Sequence, residues 1–303
     1  MLFRSSPDAA FPSTLRRERV MRDLANRLDL CSINTATLGH REKIRTVIDA
    51  VARRGYGAIC PWRRDLLDEN VAAIARQIRD ARLTVSGYCR STYFPALTQQ
   101  EFEANIADNI KAVTDAATLD AACFVLVVGS LPEGSRDLTA ARAQVEDGVS
   151  RLLEHAKNVD VRLALEPLHP MYAGDRSCLN TLQQALDLAE NIEPDSSSPP
   201  SLGVAVDVYH VWWDTRLSQS LAAARGKILG YHLCDWLENT SHMLLDRGMM
   251  GDGVADLKAI RRSVEDAGYQ GLCEVEIFSS ETWWKRDPAE VLDVIVERFR
   301  RTC

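Results

Sequence analysis

From about residue 28 onward the chain alternates short β-branched or apolar runs with longer stretches in which apolar residues recur every three to four positions. The short runs are LDLCSIN (28–34), YGAICPW (56–62), LTVSGYC (83–89), CFVLVVG (123–129), VRLALEP (161–167), LGVAVDV (202–208), ILGYHLC (228–234) and LCEVEIF (272–278). Each reads as a strand, and each is followed by an amphipathic stretch such as REKIRTVIDAVARR or ADLKAIRRSVEDAG that reads as a helix. Eight strand–helix alternations predict an α/β fold with a parallel sheet, closed as a (β/α)8 TIM barrel in preference to an open doubly wound sheet. The PDSSSPPS stretch (194–201) falls between a helix and the next strand, so it reads as an exposed linker at the N-terminal face. Residues 1–20 show no period and read as a flexible extension, leaving 21–303 as a single barrel domain.

Composition narrows the function. The chain has 303 residues, which exceeds the usual domain size, but α/β barrels of about 250 residues form one domain. A formal net charge of −7 offers no basic field for phosphate backbones or anionic membranes, so nucleic acid and membrane are not expected as partners. A small neutral or cationic ligand suits it better, and homo-oligomerisation is compatible with it. No apolar stretch approaches the roughly 20 residues needed to span a bilayer, and no signal-peptide segment opens the chain. Eight cysteines without CxxC pairs fit reduced thiols in a cytoplasmic protein.

Active sites of such barrels form at the carboxyl ends of the strands. Four predicted strands of the second half end on ionisable residues: LALE on Glu166, GVAVD on Asp207, GYH on His232 and EVE on Glu276. Strand side chains alternate faces, which places Ala164, Gly203, Ala205 and Gly230 on the inward face beneath these four, while Leu163, Leu165, Val204, Val206, Tyr231 and Leu233 face the helices. Taken singly, each polar residue could be satisfied by local hydrogen bonds. Three carboxylates and an imidazole converging inside a barrel call instead for a divalent cation, and their O/N donor set favours Mn²⁺, with Mg²⁺, Co²⁺ or Zn²⁺ as alternatives.

The segments LALEPLHP, GVAVDVYHVWWD, GYHLCDW, DRGMMGDGVADL and EVEIFSSETWW, in this order, resemble the xylose-isomerase-like sugar isomerases and epimerases, and most of all those acting on 2-keto-myo-inositol. The resemblance implies that Glu166, Asp207, His232 and Glu276 hold one metal ion and that Glu166 and Glu276 form the acid–base pair. It further implies that His210 contacts substrate oxygens and that Arg247, in the loop after the seventh strand, belongs to the site. That loop reads MMGDG where the inositol isomerases have a Pro-Gly turn, which bears on substrate identity.

Other residues rest on position alone. His169 follows Glu166 closely enough to line the pocket, and Trp62 could stack on a sugar ring, as could one or two of the other five tryptophans. Asp235 could orient His232 or a metal-bound water. A bound divalent ion would polarise a carbonyl and stabilise an enediolate while two carboxylates move the proton, giving isomerisation or epimerisation of a sugar or keto-cyclitol. Loss of a β-substituent from the same species would make the enzyme a dehydratase or lyase. Unphosphorylated substrates come first because no phosphate clamp is visible. An endonuclease IV-like repair enzyme would need further histidines after the third and fourth strands, where GYCRSTYF and VVGSLPEG have none. A non-catalytic sugar-binding subunit would bind without turnover.

Overall fold

Alternation of inward and outward side chains builds the sheet. In the computed structural model, which describes residues 21–194 and 199–302, eight parallel strands form the barrel: β1 (Cys31–Asn34), β2 (Ala58–Cys60), β3 (Thr84–Val85), β4 (Phe124–Leu126), β5 (Leu163–Leu165), β6 (Leu202–Asp207), β7 (Ile228–Leu233) and β10 (Cys273–Val275). Their order is β3-β2-β1-β10-β7-β6-β5-β4. The ends meet through parallel bridges Val85 to Ala121 and Tyr88 to Phe124, which close the ring. A two-stranded antiparallel ribbon, β8 (Asp235–Trp236) and β9 (Arg247–Gly248), was not expected from sequence; its strands are too short to carry a period. The expected extension 1–20 and the centre of the Ser/Pro linker lie outside the described residues.

The predicted faces are the observed ones. Ala164 and Ala205 pack inside the barrel with Cys60, Cys89, Cys123 and Val125, whereas Leu163, Leu165, Val204, Val206, Tyr231 and Leu233 join the large apolar layer beneath the helices. Small inward residues leave room for the polar groups above them. Gly203 is required for a further reason, since a Cβ there would come within 2.4 Å of the Lys227 carbonyl oxygen.

The surrounding helices follow from period and capping. Helix α1 (Ile44–Arg53) buries Ile44, Val47, Ile48 and Val51, spaced as one helical face. Helix α3 (Gln99–Leu119) starts in a reciprocal capping box between Thr98 and Glu101. Helices α2 (Val71–Asp80), α4 (Leu138–Asn158) and α5 (Leu182–Ile192) are capped by Asn70, Asp137 and Thr181, and α8 (Leu257–Asp266) by Asp256. Two short helices, α6 (Val208–Val211) and α7 (Leu217–Ala223), share the connection after β6, and α9 (Pro288–Thr302) ends the described chain. Among the described residues no helix is long and apolar enough to cross a membrane.

Candidate metal centre and active-site pocket

Strand register brings the four candidate ligands together. Asp207 ends β6 and pairs with His232 on β7; Glu166 and Glu276 each follow the last residue of β5 and β10. One ligand atom from each of the four lies within 4.8 Å of the other three, and all four side chains are buried. Glu166 Oε1 and His232 Nδ1 are 2.8 Å apart, yet both are buried without a hydrogen-bond partner. Two electron-pair donors facing one another in this way fit a shared cation. Arg247 donates from Nη1 to Asp207 Oδ2 (2.8 Å) and Glu276 Oε2 (3.2 Å). Were all three carboxylates ionised against this one guanidinium, the excess negative charge would call for a divalent ion or retained protons.

Electrostatics of the cluster follow from burial. Burial and the neighbouring Glu166 and Asp207 push the Glu276 carboxyl up to about 8, against the pull of Arg247 and His232. Burial works the same way on Asp207, but Arg247, His210 and His232 outweigh it and hold that carboxyl below the ordinary range. For His232, burial disfavours the cation, yet the carboxylates of Glu274, Glu166 and Glu276 prevail and raise its pKa.

A cavity of about 300 Å³ opens above the cluster and meets it through His210 and Arg247. The His169 backbone N–H donates to His210 Nδ1 (3.1 Å), while His210 Nε2 lies 3.3 Å from Arg247 Nη2 and 3.6 Å from Asp207 Oδ2. Burial, assisted by Arg247, drives the His210 pKa down to about 3, against the opposing effect of Asp207, so this ring is neutral. Arg247 is flanked by the Tyr209 and Phe278 rings, 4.4 and 4.7 Å from its Cζ. Trp62 and Trp284 line the cavity; the Trp62 indole N–H is buried and unpartnered.

Two expected roles are placed differently. The His169 ring stacks on Trp236 at 5.0 Å and accepts from the Met171 N–H, so its side chain props the loop and its contact with His210 is through the backbone. The Asp235 carboxylate accepts from the backbone N–H groups of Trp236, Gly251 and Ala255 at 2.9–3.0 Å. It therefore ties the MMGDG loop and the segment after it to the ribbon instead of bracing His232, because the amides of Trp236, Gly251 and Ala255 take up its oxygens.

Other residues were missed. Glu274 sits one layer below Glu276, accepts from Asn34 Nδ2 (2.8 Å) and Ser86 Oγ (2.7 Å), and lies 3.8 Å from His232 Nε2. Its position two residues before Glu276 put it on the same face, a signal present in EVE. Asn34 Nδ2 also donates to Glu276 Oε1 (2.9 Å) and lies 3.7 Å from the sulfurs of Cys60 and Cys89, so the amide occupies the centre of that thiol pair.

Known proteins corroborate this architecture. The chain is 24% identical over 279 residues to fructoselysine 3-epimerase of Escherichia coli O157:H7, covering 87% of this chain and 95% of that protein. It is 27% identical over 139 residues to inosose isomerase of Bacillus subtilis strain 168, covering 45% and 46% of the two chains. Among solved structures, protein SMc04130 of Sinorhizobium meliloti 1021 superposes with a TM-score of 0.87 at 47% identity, covering 91% of this chain and 99% of that one. An IolI protein described with a bound zinc atom shares the fold at a TM-score of 0.76 and 20% identity, over 88% and 95% of the two chains. The description Xylose isomerase-like TIM barrel matches residues 48–297, and with that span covering most of the barrel the chain belongs to this family.

Proposed function

We propose that this protein is a divalent-metal-dependent isomerase or epimerase of a sugar or keto-cyclitol, moving a proton on a carbon beside a carbonyl. The observation that carries the reading is the convergence of Glu166, Asp207, His232 and Glu276, with two unpartnered donor atoms facing each other. The epimerase and isomerase activities named for its relatives, and the zinc named for IolI, support the same chemistry.

When bound, a divalent ion in this cluster would polarise a substrate carbonyl. Asp207 and His232 serve as fixed ligands, since neighbouring strands hold them in register. Glu166 and Glu276 come from opposite sides of that pair in the sheet order, so one removes the proton and the other returns it. Arg247, bonded to Asp207 and Glu276, restrains both carboxylates and adds positive charge where oxygen becomes electron-rich. Neutral His210, which lines the pocket beside Arg247, contacts a substrate hydroxyl or carbonyl oxygen. Trp62, edge-on to Phe278 at 5.4 Å, supplies an apolar wall for a ring or carbon chain.

The test is a metal-replete screen of ketoses, keto-inositols and 3-keto-glycosides in deuterated water. Deuterium entering the carbon beside the carbonyl, with release of an isomer or epimer of unchanged mass apart from the label, is the expected result. Binding without label exchange on any of them would overturn the reading.

A further inference from the structure

The cavity wall has an unexpected charge. Asp and Glu outnumber Lys and Arg by 43 to 36 along the chain, yet the residues lining the cavity include four arginines and no carboxylate. Arg247 is neutralised by Asp207 and Glu276. The other three, Arg64, Arg90 and Arg176, are not so matched. Arg64 has no hydrogen bond or ion pair among the described residues. Arg90 donates only to the Ser91 carbonyl and lies over the ring of the pocket residue Tyr93, 4.6 Å from its centroid. Arg176 lies over the pocket residue Tyr172 at 5.6 Å, and its one carboxylate neighbour, Asp175, is 3.7 Å away and mostly solvent-exposed.

Several arginines elsewhere are matched. Arg63, next in sequence to Arg64, is held by Asp108 at 2.8 Å, and Arg27, Arg54 and Arg151 each have a carboxylate within 2.9 Å. Guanidinium groups that line one cavity with no carboxylate among its lining residues give that cavity a positive potential, which attracts an anion. The carboxylates of the metal cluster do not fill this role, because they face Arg247 and His232 and none of them lines the cavity.

We infer that the substrate carries an anionic group, a carboxylate or a phosphate, remote from its reacting carbonyl, and that Arg64, Arg90 and Arg176 receive it. This rests on the proton-transfer reading above for the nature of the reacting end, and it departs from the expectation of an unphosphorylated substrate. Planar guanidinium groups suit both anions, since each offers paired N–H donors to paired oxygens. Tyr93 and Tyr172 keep two of the guanidinium planes oriented before binding.

Binding of D-fructose, its terminal phosphate monoester and D-fructuronate to the metal-loaded protein, measured by calorimetry at low and high salt, tests this. One or both anionic compounds should bind at least about tenfold more tightly than fructose, and added salt should weaken the preference. Whether the phosphate or the carboxylate leads identifies the anion. In R64Q, R90Q and R176Q the anionic-to-neutral ratio should fall by roughly tenfold for the most important arginine, with circular dichroism and metal content as in the wild type. Equal binding of all three compounds, or a preference indifferent to the three substitutions, overturns the inference and leaves the proton-transfer reading standing. Arginine-dependent binding with no deuterium exchange would uphold the inference and sink that reading.

Discussion

Glu166 Oε1 and His232 Nδ1 face each other at 2.8 Å inside the barrel, each without a hydrogen-bond partner. Leaving two buried polar atoms unsatisfied costs several kcal/mol unless something joins them. One divalent ion per chain is the expected content of the purified, metal-replete protein. Elemental analysis of a D207A/H232A double variant should find less than a tenth of that occupancy, and full occupancy would refute the assignment.

Metal loading should depend on pH. With the Glu276 carboxyl raised to about 8, the metal-free cluster holds a proton at pH 7 that a bound ion must displace. His232, whose pKa the neighbouring carboxylates raise, holds a further proton that the ion must displace, so apparent affinity should rise at least about tenfold per pH unit between pH 6 and 8. Calorimetry in buffers of different ionisation enthalpy would register the released proton, and a flat profile between pH 6 and 8 would contradict this.

Replacing Glu166 or Glu276 by Gln retains shape and one oxygen donor while removing the base. Turnover and solvent-deuterium exchange should each fall by on the order of 10² to 10⁴. A loss of only a few-fold at normal metal occupancy would direct attention to His210 as the base.

Asp235→Ala should cost stability and spare the metal. The substitution frees three backbone N–H groups of the 236–255 segment, so a loss of about 3 kcal/mol in denaturant unfolding is expected, with wild-type metal content. Metal loss without destabilisation would return Asp235 to the role of bracing His232.

Thiol chemistry offers an independent probe of the interior. The Cys60 hydrogen bond lowers the Cys89 pKa, but burial and the carboxylates of Glu274 and Glu276 dominate and push it up to about 11. At pH 8 its thiolate fraction is on the order of 10⁻³. Peptide mapping after native alkylation should find Cys89 unmodified, along with the equally buried Cys60 and Cys123, and rapid modification would show that the barrel interior opens.

The convergence of Glu166, Asp207, His232 and Glu276 was legible because each lies at the end of an apolar run, and period two then fixes its face. Strand boundaries were less so: the window 83–89 contracts to Thr84–Val85, since beyond Val85 the chain pairs only through single bridges. Asp235 misled because a strand-end carboxylate looks alike whether it faces a metal or a turn, and only the folded MMGDG loop reveals the amides it serves. Arg64 and Arg90 follow β2 and β3 as the ligands follow later strands, so the same positional logic applied to the first half of the barrel would have found them. Arg176 and Trp284 come from long connections where no period exists to read.

Strand β10 and the two residues that follow it carry Glu274 and Glu276 on one face and Cys273, Val275 and Ile277 on the other. A slip of one residue against β1 or β7 would drive two carboxylates into the oily layer under the helices and turn Val275 toward the polar interior. Such a slip is far more costly here than in a strand with a single polar residue. The pair of glutamates thus proofreads the pairing of the last strand, and through it the fit of the ring's two halves, before any substrate arrives.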